Sequence, residues 1–440
     1  MNNISIKLFP NQIAQKPMRD ILGMNGSPRI TSKGVLNYEK PLFDALKLRH
    51  VRYHDSPLTN PGQDLIDVHC IFPLLHLDET DPRNYFFAQT DDYLRVMADS
   101  EAEIDFRLGE SIDHSGNARR IGVPEDKDKW ARVCRNIVGH YKNGEMDGMH
   151  LNITRVTVWE EPDNEKLFGG TVQDYAEMFC KVYKLLKKDF PDILVGGPSS
   201  QTGCSAYIKE FLTICKANGV TPDYVATTMY TKSLKFFMDT IQEYRDTMDE
   251  CGCKDMRYAL VEWHMSPTDW DNTYRVYENG FYTTTNAAFS VAAMIGMMDI
   301  DYLDVAYYYN WDGRTYALLD LWTVTQKRQL PAYYGLMFFQ KLATECTERV
   351  AFQMEETDGV YALAGKTADG KQRILIACYN SQPCTFTCET ENAKKCTLYA
   401  VNEEYHEEEA TEGRVLCVEN GSAIFEHEGE QGVYLLEFEN

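Results

Sequence analysis

Positive charge is scarce in this 440-residue chain: 44 lysines and arginines face 67 aspartates and glutamates, for a formal net charge of −23. Nucleic acid and anionic membrane surfaces are both recognised through basic patches, so neither is expected as a partner. The acidic excess otherwise reads as a solvated surface. Long apolar runs are also missing. No window approaches the ~20 residues that a membrane-spanning helix requires. The first residues, "MNNISIKLFPNQIAQ", show no basic stretch followed by an apolar one, so no secretory signal is read there. Paired cysteines are lacking too. The thirteen are odd in number and sit inside apolar segments such as "MFCKVY" and "LTICKA", the pattern of reduced, buried thiols. A cytoplasmic location is expected. "CGC" at 251–253 has one residue between its thiols and no second pair at zinc-ligand spacing, so it reads as a turn.

Nucleotide and metal signatures are absent as well. Gly196-Gly197 closes a strand before Pro198 with no Walker lysine. His69 and His76 with Asp78 and Glu79 match no ligand spacing on a helix or turn. No metal and no cofactor are expected.

What the sequence does contain is an alternation. Eight β-rich runs, "ILGMNG", "HVRYHD", "IDFRLGES", "VTVWEEP", "ILVGGPSS", "YVATTMY", "YALVEW" and "DVAYYYNW", are separated by amphipathic helical stretches. "VQDYAEMFCKVYKLLKKD" and "LKFFMDTIQEYRDTMDE" are two such helices, and "PAYYGLMFFQKLAT" opens with Pro331 in its first turn. "DLIDVHCIFP" reads as part of a long loop. The pattern predicts a (β/α)8 barrel over residues 16–345. An open doubly wound sheet is the rival, but no Gly-rich phosphate turn follows the first run. From 346 to 440 the pattern changes to short alternating runs joined by Gly, Asn and Asp turns, which predicts a β-sandwich. That tail carries about half of the net negative charge. "ISIKLF" comes too early to be a barrel strand, so residues 1–15 are expected to add a strand to the sandwich.

Chemistry in such a barrel sits at the C-terminal ends of the strands. Glu161 closes the fourth run in "VTVWEEP" and Glu262 closes the seventh in "YALVEWH". The fourth and seventh strands face each other across the mouth, so the two carboxylates can converge on one bond. Glycoside hydrolysis uses such a pair: one carboxylic acid protonates the leaving oxygen while the other carboxylate attacks the anomeric carbon, ~5–5.5 Å away in retaining enzymes. Each glutamate alone would be an ordinary solvated strand end. An acid must also stay protonated near neutral pH, which burial or neighbouring negative charge achieves. Glu160, between Trp159 and Glu161, is expected at the site, although strand alternation would turn one of the two adjacent glutamates away.

Other side chains suit a sugar pocket. His54 ends the second run and can bond a sugar hydroxyl. "YYYNWDG" sets Tyr307, Tyr309 and Trp311 on one strand face, and Trp263 and Trp270 follow Glu262. Flat rings stack on pyranose faces, and Asn25, Glu110 and Asn310 can pair with hydroxyls. Arg52 is a candidate donor to the nucleophile.

These motifs resemble a known family. "WEEP" is similar to the Trp-Asn-Glu-Pro motif of the clan A retaining glycosidases, and "LVEWH" to the segment carrying their nucleophile. More closely, the chain resembles glycoside hydrolase family 39, which includes β-xylosidases and α-L-iduronidases. "VRYHD", "LFGGTVQDYAEMFCKVYKLLKKDFPDILVGGPSS" and "LPAYYGLMFFQKL" match its motifs in order over residues 20–345. The resemblance implies that Glu161 is the acid/base, Glu262 the nucleophile and Tyr230 the donor that orients it. It also implies a sandwich to which the chain ends contribute, and a homo-oligomer. The chain departs from the family at Glu160, which stands where asparagine bonds the sugar's 2-hydroxyl; its charge would repel a uronic acid. It departs again at Thr228, where many members carry histidine. A retaining exo-glycosidase acting on small plant-derived oligosaccharides or glycosides is expected. The alternative is a non-catalytic or altered-specificity carbohydrate-binding barrel of the same fold.

Overall fold

The computed structural model describes residues 2–28, 39–54, 65–111, 121–313, 315–320 and 328–439. The first strand, β1 (Asn2–Ile13), lies outside the barrel. Eight parallel strands follow and close on themselves: β2 (Leu22–Asn25), β3 (His50–Tyr53), β4 (Glu103–Leu108), β5 (Ile153–Val158), β6 (Leu194–Ser200), β7 (Tyr224–Tyr230), β8 (Arg257–His264) and β9 (Leu303–Tyr308). Closure comes from β9 pairing with β2, with Ala306 opposite Leu22. Every strand falls on one of the eight β-rich runs, which establishes the (β/α)8 architecture.

The helices form where the apolar period is 3.6 residues. Val172–Asp189 begins at a capping box, with Thr171 and Asp174 each bonding the other's backbone N–H. It then buries Tyr175, Met178, Phe179, Val182 and Leu186 against the strands. Leu234–Glu250 starts at Ser233, whose side chain accepts from the Phe236 N–H. Inside the barrel, space is tight. A Cβ on Gly196 would lie 2.4 Å from the ring of Tyr224, so only glycine lets that ring fill the centre. Segment 65–73, expected as loop, holds a single helical turn, Val68–Ile71. Beyond β9 a small three-stranded sheet joins Asp312–Gly313, Leu319–Asp320 and Arg328–Gln329.

Helix Pro331–Glu345 ends the barrel, and strand Cys346–Met354 begins the second layer with no linker between. The sequence pattern did not mark that strand, because Glu348, Arg349 and Gln353 break its alternation. It forms because its backbone pairs on one side with β1 and on the other with Val360–Thr367. β1 also runs parallel to Cys384–Glu389, so it stitches together the two halves of a ten-stranded sheet. Those halves enclose a core of Ile4, Ile6, Leu8, Ile374, Ile376, Phe386, Leu398 and Leu436. Strand Gln372–Tyr379 is buried on both faces. Ile374 and Ile376 face this core, while Leu375 and Ala377 join the barrel's; each fully buried Leu or Ile contributes ~1.5–3 kcal/mol. Polar ties hold the two layers as well. Arg373 bridges Glu345 at 2.8 Å and Glu437 at 2.7 Å. The Tyr379 hydroxyl donates to the Lys232 carbonyl at 2.8 Å.

Candidate active site

β5 ends at Val158, and the backbone then leaves the strand. Trp159 has φ +66° and Glu161 φ +41°, left-handed values that cost a non-glycine residue ~1–3 kcal/mol each. Trp159 is held there by its Nε1–H, which donates to the Leu167 carbonyl at 3.0 Å. Its ring lies where a Cβ on Gly109 would be, so that glycine makes room for it. Because the strand has stopped, alternation no longer applies. Glu160 and Glu161 both bond groups from the facing strands, and neither turns away as alternation would require.

Glu161 accepts the Thr228 hydroxyl on Oε1 at 2.8 Å. Thr228 is the register partner of Glu262 on the adjoining strand, so Glu161 reaches across β6 to the level of β7 at which Glu262 stands. Glu262 accepts the Tyr230 hydroxyl on Oε1, and its Oε2 lies 3.2 Å from Nε2 of His54. Glu160 is buried and takes three partners. Ser199 donates to Oε1 at 2.8 Å, the Arg52 guanidinium pairs with Oε2, and Nδ1 of His54 lies 3.2 Å from that same oxygen. His54 therefore spans Glu160 and Glu262, with Tyr309 beside its ring at 5.9 Å. Arg52 is fully buried, and it also donates to Asn25 Oδ1 at 3.1 Å and the Val261 carbonyl at 3.2 Å.

These surroundings separate three carboxylates by charge state. Burial, aided by the charge of Glu160, pushes Glu161 up to about 7 against the hydrogen bond from Thr228. Burial also raises Glu262, to about 8; His54 and the Tyr230 hydroxyl oppose it, while Glu160 and Glu161 add to it. Burial would raise Glu160 too, but Arg52 and His54 outweigh it and hold that carboxyl well below the usual range. Tyr230 is pushed far up by burial and by Glu262, and so stays a hydrogen-bond donor. One permanently ionised glutamate thus stands beside two that hold protons near neutral pH.

Of the residues expected at the site, Glu160, Glu161, Glu262, His54, Arg52 and Tyr230 converge. Others have different work. Asn25 is fully buried, and its amide donates to the Val261 and Tyr307 carbonyls at 3.0 and 3.2 Å, bracing the barrel rather than facing a ligand. Trp263 is fully buried against Phe237 and Tyr308. It follows Glu262 past the register shift at Val261, where successive side chains again alternate, so it points to the opposite face. Trp311 is likewise buried, edge-on to Phe43, with its Nε1–H donating to Glu39 at 3.0 Å. Tyr307, expected on the ligand face, fills the barrel centre beside Tyr224. Glu110 pairs with His69, accepting its backbone N–H at 3.2 Å and contacting its ring. Asn310 keeps a sheltered amide oxygen with no hydrogen-bond partner among the described residues. Sequence reasoning missed Thr228 and Ser199 as donors. Thr228 carried a usable signal, since it lies two residues before Tyr230 and so on the same strand face.

Among the described residues two groups bring ligand-type atoms within 4.8 Å of one another: His54 with Glu160 and Glu262, and Asp67 with His69 and Glu110. The first already holds the Arg52 guanidinium. In the second, Asp67 accepts from Arg107 at 2.6 Å and from the Ser111 N–H at 2.8 Å.

The chain is similar to several known proteins. Over 190 residues, 41% of this chain, the sequence is 25% identical to a beta-xylosidase of Caldicellulosiruptor saccharolyticus, and the matched stretch covers 38% of that relative. A glucosidase from Croceicoccus marinus superposes with a TM-score of 0.76 at 21% identity, over 100% of both chains. A monomeric beta-xylosidase from Caulobacter crescentus gives 0.69 at 14% identity, over 100% of this chain and 99% of that one. At such identities the two structures speak for the fold. The model of glycosyl hydrolases family 39 matches residues 85–319, just over half of the sequence and the stretch that holds Glu160, Glu161 and Glu262, and the chain belongs to that family.

Proposed function

We propose that the chain is a retaining exo-glycosidase that hydrolyses O-glycosidic bonds of small plant-derived oligosaccharides or glycosides, with Glu161 as acid/base and Glu262 as nucleophile. One observation carries this reading: a carboxyl raised to about 7 is hydrogen-bonded to Thr228, the strand position opposite Glu262. In the first step the protonated Glu161 gives its proton to the leaving oxygen while the Glu262 carboxylate bonds to the anomeric carbon, forming a glycosyl ester. In the second step Glu161, now ionised, takes a proton from water as that water attacks the same carbon, and the ester bond breaks to restore Glu262. The reactive form keeps the proton on Glu161 after Glu262 has lost its own. Tyr230 favours that form by donating to the ionised Glu262, and His54 beside it favours the ionised carboxylate as well.

The beta-xylosidase and glucosidase relatives point to a neutral pyranoside. Glu160, held ionised at the site, suits a neutral sugar and disfavours a uronic acid, since a second carboxylate would meet it unpaired. No step draws on a cofactor. The thirteen cysteines are all free thiols, which fits a reducing compartment and supports a cytoplasmic location. Among the described residues no helix is long and apolar enough to cross a membrane.

A panel of aryl glycosides tests the activity directly. Release of aryl alcohol is expected, and Glu161→Ala should slow poor leaving groups by ~10²–10⁴-fold while sparing activated ones. Equal losses on both would remove Glu161 from the acid role. Silence across the panel with sugar binding retained would mean a non-catalytic sugar-binding barrel.

A further inference from the structure

The loop after β8 gathers exposed aromatic rings. Among the described residues nine large hydrophobic side chains stand exposed, and three of them fall within eight residues here: Trp270 at 58%, Tyr274 at 78% and Tyr277 at 63%. Loose loops expose rings by fluctuating, but this one is fixed from within. The buried Asn279 accepts the Thr268 N–H at 2.8 Å, the Thr268 hydroxyl at 2.6 Å and the Asp269 N–H at 3.1 Å. Its own amide donates to the Asn272 carbonyl at 3.1 Å. Asp269 caps the turn that carries Trp270 by accepting the Asp271 N–H at 3.1 Å. Tyr277 packs edge-on to Tyr282 at 5.4 Å, and Tyr282 is anchored to Asp320 at 3.1 Å. The rings are presented on a preorganised support, which lowers the entropy cost of binding to them.

The platform continues into the site. Trp270 packs edge-on to Tyr230 with ring centroids 6.0 Å apart, and the Tyr230 hydroxyl bonds Glu262. A single tyrosine ring therefore separates the exposed indole from the glutamate at the reacting centre. We infer that Trp270, with Tyr274 four residues on in the same loop, forms a binding subsite for the ring next to the scissile bond, on the leaving-group side. The ligand is a six-membered ring with an apolar face, either a second pyranose or an aryl group. The exposed rings lie outward of Tyr230, whereas the glycosyl ring must reach inward to Glu262. A rigid indole face takes such a ring by stacking and needs no specific hydrogen-bond pattern.

This subsite rests on the glycosidase reading, so its test has one arm that needs no turnover. Binding of a thio-linked disaccharide and of the matching methyl glycoside is measured by calorimetry on the full chain and on Trp270→Ala, Trp270→Phe and Tyr274→Ala. Trp270→Ala should weaken the disaccharide relative to the methyl glycoside by about tenfold, the value of one aromatic stacking contact. Trp270→Phe, which keeps a flat ring, should recover most of the loss. The hydrolytic arm compares kcat/KM on a disaccharide, an aryl glycoside and the methyl glycoside. A selective loss on the first two means the subsite takes either ring, and a loss on one alone names the occupant. If nothing is hydrolysed but disaccharide binding still depends on Trp270, the subsite stands and the catalytic reading falls. Equal losses on all three ligands would place Trp270 behind Tyr230 as packing, and a change in molecular mass on substitution would make the rings a contact between copies of the chain. Either result overturns the subsite.

Discussion

Nε2 of His54 lies 3.2 Å from Oε2 of Glu262, and the opposite nitrogen of the same ring lies 3.2 Å from Glu160. A single imidazole thus couples a permanently ionised glutamate to the one expected to attack the sugar. With Arg52 on the same Glu160 oxygen, the mouth of the barrel contains a buried ionic network.

That network makes Glu160 a strong determinant of stability. Glu160→Gln leaves the fully buried Arg52 without its nearest counter-charge. Removing one partner of a buried pair costs ~3–5 kcal/mol. Urea unfolding should show a loss of that size, and an unchanged midpoint would mean that Arg52 is balanced elsewhere.

Tyr230→Phe removes an O–H that stabilises the ionised form of Glu262. Without it the Glu262 carboxyl rises further, and less of it is ionised at any given pH. The acid limb of the kcat/KM profile should move to higher pH. The rate at neutral pH should fall ~10- to 100-fold, as expected for a hydrogen bond to a charged group. A profile that only drops in height, with its acid limb in place, would contradict this role.

Glu161 ties stability to pH with a definite sign. Its carboxyl stands at about 7 in the folded protein against an ordinary 4.5, so between those values the folded state holds a proton that the unfolded state releases. Stability contributed by that proton is present below pH 4.5 and is lost as pH rises through 7, by ~3 kcal/mol. Glu161→Gln should therefore flatten the pH dependence of stability across that window and match or exceed the parent at pH 8. Parallel curves for the two proteins would show that Glu161 is not the shifted group.

The barrel was legible in the sequence because a parallel strand buried on both faces and an amphipathic helix leave different apolar periods. "YVATTMY" and "VQDYAEMFCKVYKLLKKD" became β7 and helix Val172–Asp189 without a residue's shift. Strand Cys346–Met354 was not legible: its half-exposed polar positions carry no pattern, and it is held by backbone pairing to β1. At the site, the convergence of Glu161 and Glu262 followed from strand order, and the aromatic assignments did not. Trp263 could have been set aside by alternation from Glu262. The burial of Trp311 depends on Glu39 and Phe43, far away in the chain. The joint orientation of Glu160 and Glu161 comes from left-handed residues just past the strand end, which no periodicity reveals.

The central claim is that Glu262 bonds covalently to the sugar. Incubation with a 2-deoxy-2-fluoro glycosyl fluoride, whose ester intermediate turns over slowly, followed by peptide mass spectrometry, tests it most directly. One fluorosugar per chain is expected, attached to the peptide containing Glu262 and absent from Glu262→Gln. A label on Glu160 or Glu161, or active hydrolysis with inversion and no adduct at all, would contradict it.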